Sequence, residues 1–124
     1  MIIAGVGFRA GATSADILEI LRRAEDESGC EIQLLAAPEF KASQAALLET
    51  LAMLGLPLIA IDQLQLQRAQ VRCPTQSRVA MAAVGSSSVA EGCALAALDE
   101  GARLVLPRIA NARATCALAS GDRP

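Results

Sequence analysis

A chain of 124 residues with 53% apolar content has the size of one domain, residues 1–124, and enough aliphatic side chain for a continuous core. Its formal charge is −2, its basic residues are scattered, and its aromatic side chains are limited to Phe8 and Phe40. That leaves neither a basic stripe nor a base-stacking platform, so nucleic acid is not an expected partner. The longest apolar stretch, residues 51–61, is broken by Pro57 and falls short of the ~20 residues that a membrane helix needs.

Histidine is absent, and Cys30, Cys73, Cys93 and Cys116 are widely separated with no Cys-x-x-Cys pairing. No metal site and no cofactor are therefore expected, the thiols read as reduced core residues, and the commonest general base is missing. The amino terminus begins as an apolar run with no basic leader, so a cytoplasmic setting is expected.

Residues 1–6 form a β-branched apolar run that reads as a buried strand ending at a Gly5-Val6-Gly7 turn. A helix follows, capped by Thr13 or Ser14, with Asp16 in its first turn, Ile17, Leu18, Ile20 and Leu21 as its apolar stripe, and Gly29 closing it. Residues 31–36 read as a second strand, and residues 43–54 as a helix capped by Ser43 and closed by Gly55. Residues 57–61 read as a third strand. Such alternation is what βαβ units require.

Residues 62–70 suggest one or two helical turns. Residues 78–84 read as a short helix ended by Gly85, with an apolar strand as the other reading, and residues 88–98 as a firmer helix. A strand at 103–106, a loop at 109–113 and a final strand at 114–119, antiparallel at an edge, complete the chain. The expected fold is a three-layer α/β/α sandwich about a mostly parallel or mixed sheet of about five strands.

The residues with chemical potential fall in four places. Gly7, Arg9 and Gly11 follow the first strand, and Lys41 follows the second. Ser86, Ser87, Ser88 and Glu91 surround a helix start, and Arg108 and Thr115 lie near strand ends. Carboxylates are held by exposed amides, hydroxyls and cationic side chains, and ligands of open α/β sheets gather at strand ends.

Each feature also has a plain structural explanation. Ser88 and Glu91 have the spacing of a capping box, worth about 1 kcal/mol. Lys41 and Arg108 have the character of solvated charges, and Thr115 that of a β-branched strand residue. Gly5, Gly7 and Ala10 approach a dinucleotide fingerprint, but the second strand ends in Leu35-Ala36-Ala37-Pro38 without the ribose-binding acid. Glu39, Asp62 and Glu91 form no identifiable nucleophile and base pair. Catalytic residues are accordingly left unassigned.

The joint order of Gly5-Val6-Gly7, Arg9, Gly11, Lys41, Pro74-Thr75, Ser77, Gly85, Ser88-Val89-Ala90-Glu91, Ala94-Leu95 and Ala114-Thr115-x-Ala117 resembles the CobE/CbiG carboxy-terminal family of cobalamin biosynthesis, in its stand-alone form. The family often carries an acid a few positions after the lysine, where this chain has Gln44, and a lysine where this chain has Arg108. The resemblance implies a part in building the corrin ring of vitamin B12 by the oxygen-dependent route. It also implies a carboxylate-rich precorrin or corrinoid intermediate as ligand, resting its face on aliphatic side chains.

Binding or handing on that intermediate is the preferred expectation. The alternatives are a small hydrolase or isomerase related to lactone opening, and a non-catalytic subunit docking onto another cobalamin-biosynthesis enzyme. An apolar surface from the Leu-rich middle of the chain would support a homodimer.

Overall fold

A computed structural model of the chain describes residues 1–69 and 89–122. In chain order the described elements are β1 (Ile2–Phe8), α1 (Ser14–Ser28), β2 (Leu34–Pro38), a 3-10 turn (Glu39–Lys41), α2 (Ala45–Leu54) and β3 (Leu58–Ile61). After these come α3 (Gln63–Ala69), α4 (Val89–Ala96), β4 (Arg103–Ala110) and β5 (Ala114–Ser120).

The strands form one five-stranded mixed sheet in the order β3-β2-β1-β5-β4. β1, β2 and β3 run parallel, while β5 is antiparallel to both β1 and β4. The period-2 alternation of strands divides the core between the two faces. Ile3, Leu34, Ala36 and Ala119 pack with residues of α3 and α4, whereas Ala4, Val6, Leu35, Ala37 and Leu118 pack with residues of α1 and α2. The α/β/α sandwich expected from the alternation is therefore present.

Helix α1 forms where its local signals agree. Thr13 closes a capping box with Asp16, and Gly29 ends the helix in the left-handed region at φ 71°. Helix α3 starts in the same way: the Asp62 carboxylate accepts from the Gln65 amide at 2.8 Å, and the Gln65 side chain accepts from the Asp62 amide at 2.9 Å.

The second helix departs from expectation at its start, which lies at Ala45 with Gln44 at the cap position and no side-chain capping bond. Ser43 is therefore not the cap, although Gly55 does close the helix at φ 67°. Leu48, Met53 and Leu54 of α2 and Leu64 of α3 are exposed, which is the apolar surface anticipated from the Leu-rich middle.

Two larger corrections concern the sheet. The first strand runs through Phe8, so Gly5 and Gly7 are strand residues and not a turn. Their role is close approach. A Cβ on Gly5 would overlap the Ala90 carbonyl oxygen and lie 2.6 Å from the Ala94 nitrogen, so α4 rests directly on the β1 backbone. The true turn comes later, at Gly11, with φ 89°.

The last strand is not at an edge. β5 lies between β1 and β4, which explains why Ala117, Leu118 and Ala119 are all buried. β4 is the edge, and it extends to Ala110, so the connection is shorter than the 109–113 loop expected. Its register slips between Leu104 and Leu106 and again between Leu106 and Ile109. Pro107, which cannot donate to a ladder, is tolerated in such an irregular edge strand.

Cys116, at the middle of β5, is fully buried, and desolvation by that burial pushes its thiol up to about 12, from an ordinary value of 9.0. In the unfolded chain this thiol ionises near its ordinary value. The stability it contributes is therefore complete below pH 9.0 and is lost as pH rises from there towards 12. A falling denaturation midpoint across that window is expected, and Cys116→Ala should flatten part of the fall. The expected helix or strand at residues 78–84, its Gly85 cap, Cys73, and Pro74, Thr75 and Ser77 all lie outside the described residues.

Candidate functional site

Because β1, β2 and β4 point the same way and β5 points back, their ends converge at one edge of the sheet. The carboxyl ends of the first three and the start of β5 meet there. A cleft of about 480 Å³ opens at this edge, within the roughly 300–1,000 Å³ usual for small-molecule sites.

Gly7, Phe8 and Arg9 line it from the end of β1, and Pro38, Phe40 and Lys41 from the end of β2 and the 3-10 turn. Val89 contributes from the first turn of α4, Arg108 from β4, and Asn111, Ala112, Arg113, Ala114 and Thr115 from the hairpin turn and the start of β5. Five residues selected from the sequence thus meet in one place: Gly7, Arg9, Lys41, Arg108 and Thr115. Gly11 lies in the turn after β1 but does not line the cleft. Ser86, Ser87 and Ser88 lie outside the described residues.

Each cation is presented differently. Arg9 donates from both Nε and Nη2 to the Ala112 carbonyl, the first at 3.1 Å, and its backbone amide bonds the Arg113 carbonyl at 3.0 Å. Two donors on one carbonyl fix the guanidinium plane and leave its other edge for a ligand. The Lys41 ammonium lies 5.1 Å from the centroid of the Phe8 ring, within cation–π range. That contact holds a flexible lysine at the cleft. Arg113 makes a 3.7 Å ion pair with Asp16, and its side chain is 55% exposed. The Thr13 backbone N–H, chiefly, and Arg113 in addition hold the Asp16 carboxyl below its ordinary value. The Arg108 side chain has no partner among the described residues and stands at the exposed face of β4.

Asn111, which was not singled out from the sequence, and Thr115, which was, explain how the hairpin turn holds its place. The Asn111 side-chain oxygen accepts from the Arg113 and Ala114 amides at 3.0 and 2.8 Å. Its amide nitrogen donates to the Asp16 carbonyl at 2.9 Å and to the Glu19 carboxylate at 2.8 Å. The two accepted bonds close the turn on itself and the two donated ones pin it to α1, so all of its bonding capacity is used. Thr115 donates to the Gly7 carbonyl at 3.3 Å, tying β5 to β1 at the cleft floor.

Glu91 does not line the cleft. It is fully buried on α4, and its carboxylate accepts the Arg108 backbone amide at 3.0 Å. This bond joins the helix to the irregular edge strand where the cation projects, so Glu91 acts on the site by setting the backbone of Arg108. Replacing it by alanine should cost about 2 kcal/mol, by removing a buried charged acceptor and the bond it makes to the Arg108 amide, and Glu91→Gln, which keeps an acceptor, should cost less. Chemical denaturation of both variants measures the difference.

The model of the family described as "Cobalamin synthesis G C-terminus" matches residues 2–119. The chain belongs to that family. It is accordingly a protein of cobalamin biosynthesis, related to CobE and CbiG. It is 26% identical over 121 residues to Protein CobE of Sinorhizobium sp, covering 95% of this chain and 79% of that protein.

Among solved structures, the crystal structure of CobE, a protein from the cobalamin (vitamin B12) biosynthetic pathway, superposes with a TM-score of 0.88 at 32% identity. The match covers 96% of this chain and 89% of that one. The cobalamin biosynthesis protein chiG from Agrobacterium tumefaciens superposes with a TM-score of 0.79 at 37% identity, covering 98% of each chain. Within this family fold, the described residues include no helix long and apolar enough to cross a membrane.

Proposed function

We propose that the cleft binds a carboxylate-rich precorrin or corrinoid intermediate and holds it for transfer to another enzyme of the pathway. One observation carries this reading: every charged residue lining the cleft among the described residues, Arg9, Lys41, Arg108 and Arg113, is basic, although the chain as a whole is acidic. Positive charge is thus concentrated at one apolar-floored depression, which suits a ligand with an apolar ring and anionic side arms.

The described lining residues supply no carboxylate, imidazole or thiol, and the Thr115 hydroxyl is engaged with Gly7. We therefore assign holding over conversion. A cytoplasmic setting and one domain over residues 1–124 accompany this reading, supported by the buried thiol of Cys116 and by the single sheet that both halves of the chain share.

The test is titration of the purified protein with tetrapyrrole intermediates, following visible absorption and the mass of the bound compound. Saturable binding with unchanged mass is the expected result. Formation of a product of different mass would instead establish a hydrolase or isomerase, and failure of every tetrapyrrole to bind would remove both.

A further inference from the structure

Phe8 and Phe40 are the complete aromatic content of this chain, and both line the cleft. Aromatic side chains ordinarily contribute their large area to a core or an interface. This core is aliphatic, and Phe40 belongs to neither half of it. Phe40 is 58% exposed, carried on the 3-10 turn Glu39–Lys41 directly after the buried Pro38. The backbone beneath it is therefore anchored at the end of β2, while the ring lies outside both core clusters.

Phe8 is different. It packs in part against the core on the α1 side, and its ring already carries the Lys41 ammonium. Phe40 is the aromatic surface left available in the cleft.

An exposed apolar residue alone means little. What distinguishes Phe40 is its surroundings, with Arg9, Lys41, Arg108 and Arg113 lining the same depression. An exposed aromatic ring and four cations in one lining are the complement of a flat conjugated system bearing anionic groups.

We propose that Phe40 is a stacking residue, which lays its ring against a conjugated face of the bound tetrapyrrole while the four cations take the peripheral carboxylates. This assignment rests on the corrinoid-binding reading of the cleft and adds a selection rule to it. A ring whose conjugation makes it flat presents a face to Phe40, and a saturated, puckered ring with the same carboxylates does not. The cleft then discriminates among tetrapyrroles by state of conjugation as well as by charge.

Uroporphyrin and uroporphyrinogen are suitable probes because they carry the same carboxylate side chains on a flat conjugated ring and a puckered unconjugated one. Binding of uroporphyrin is measured from its absorption and fluorescence anisotropy. That of uroporphyrinogen is measured by anaerobic equilibrium dialysis with oxidation of the recovered ligand.

Wild-type protein is expected to prefer uroporphyrin. Phe40→Leu, which keeps an apolar side chain at an exposed position, should weaken uroporphyrin about fivefold and leave uroporphyrinogen within about twofold. Arg108→Glu should weaken both probes alike. If Phe40→Leu changes both probes equally, or neither, while Arg108→Glu still weakens them, stacking is wrong and the cation-lined site stands. If wild-type protein binds neither probe, the binding reading of the cleft falls, and this inference with it.

Discussion

Gly5→Ala is expected to destabilise the protein by about 3 kcal/mol or more, the upper end of what an overpacked core costs. The added methyl would sit against the Ala90 carbonyl and 2.6 Å from the Ala94 nitrogen, both backbone atoms of α4. A flexible side chain could turn aside, but a helix backbone moves only as a body. Moving α4 off β1 would open the core shared by Ile3, Cys93, Ala94 and Leu95 and would drag the Glu91 carboxylate from the Arg108 amide.

The cleft and the fold should therefore fail together. Thermal melting should show a large drop for Gly5→Ala. Gly11→Ala, by contrast, meets no atom within 4 Å and is penalised only by its positive φ, so it should cost less. Equal effects at the two positions would mean that the strand–helix approach is looser than described.

The glycines also show where sequence reading stops. Gly-x-Gly after a strand is compatible with a turn or with close approach, and chain-local signals do not separate them. The deciding information sits far away in Ala90 and Ala94, four residues apart on α4. Two small residues at that spacing allow a helix backbone to reach a strand, and pairing them with Gly5 was the available clue.

Local elements were legible where capping, periodicity and closing glycine agreed, as they do from Thr13 to Gly29. The parallel half of the sheet was likewise legible, because βαβ alternation restricts how neighbouring strands pair. The place of β5 was not. Ala114–Ser120 is made mostly of small residues that suit either an edge or a central strand, and its pairing with both β1 and β4, like the covering of its faces by α1 and α4, is decided by distant parts of the chain.

For the site, the cations Arg9, Lys41 and Arg108 were identified through order and resemblance, whereas Asn111 and Arg113 were passed over as loop residues. Their importance depends on the hairpin folding back onto α1, a contact across more than ninety positions of sequence for Asn111. The expectation of an aliphatic platform did not single out Phe8 and Phe40, which line the cleft. A signal did exist: Phe8-Arg9 and Phe40-Lys41 each join an aromatic to a cation, at or just beyond the ends of two neighbouring parallel strands.

Charge reversal at Arg108 is the second substitution with a large expected effect, on binding and not on stability. The side chain is exposed and without a partner among the described residues, and the bond that organises this position uses the backbone amide, which Arg108→Glu retains. The fold should lose almost nothing.

For a polycarboxylate ligand, however, the substitution replaces an attraction with a repulsion at the same point. At the partly screened dielectric of a surface cleft this amounts to about 2 kcal/mol, close to thirtyfold in affinity. The loss should shrink as salt is raised, because exposed charges are screened over about 10 Å at 0.1 M ionic strength. Arg22→Glu provides the control: it makes the same change in net charge on α1, at a residue that does not line the cleft. A much larger loss for Arg108→Glu than for Arg22→Glu, converging at high salt, would place the carboxylates beside β4. Equal losses would show that only the overall charge of the protein matters, and the cleft would then have no claim to the ligand.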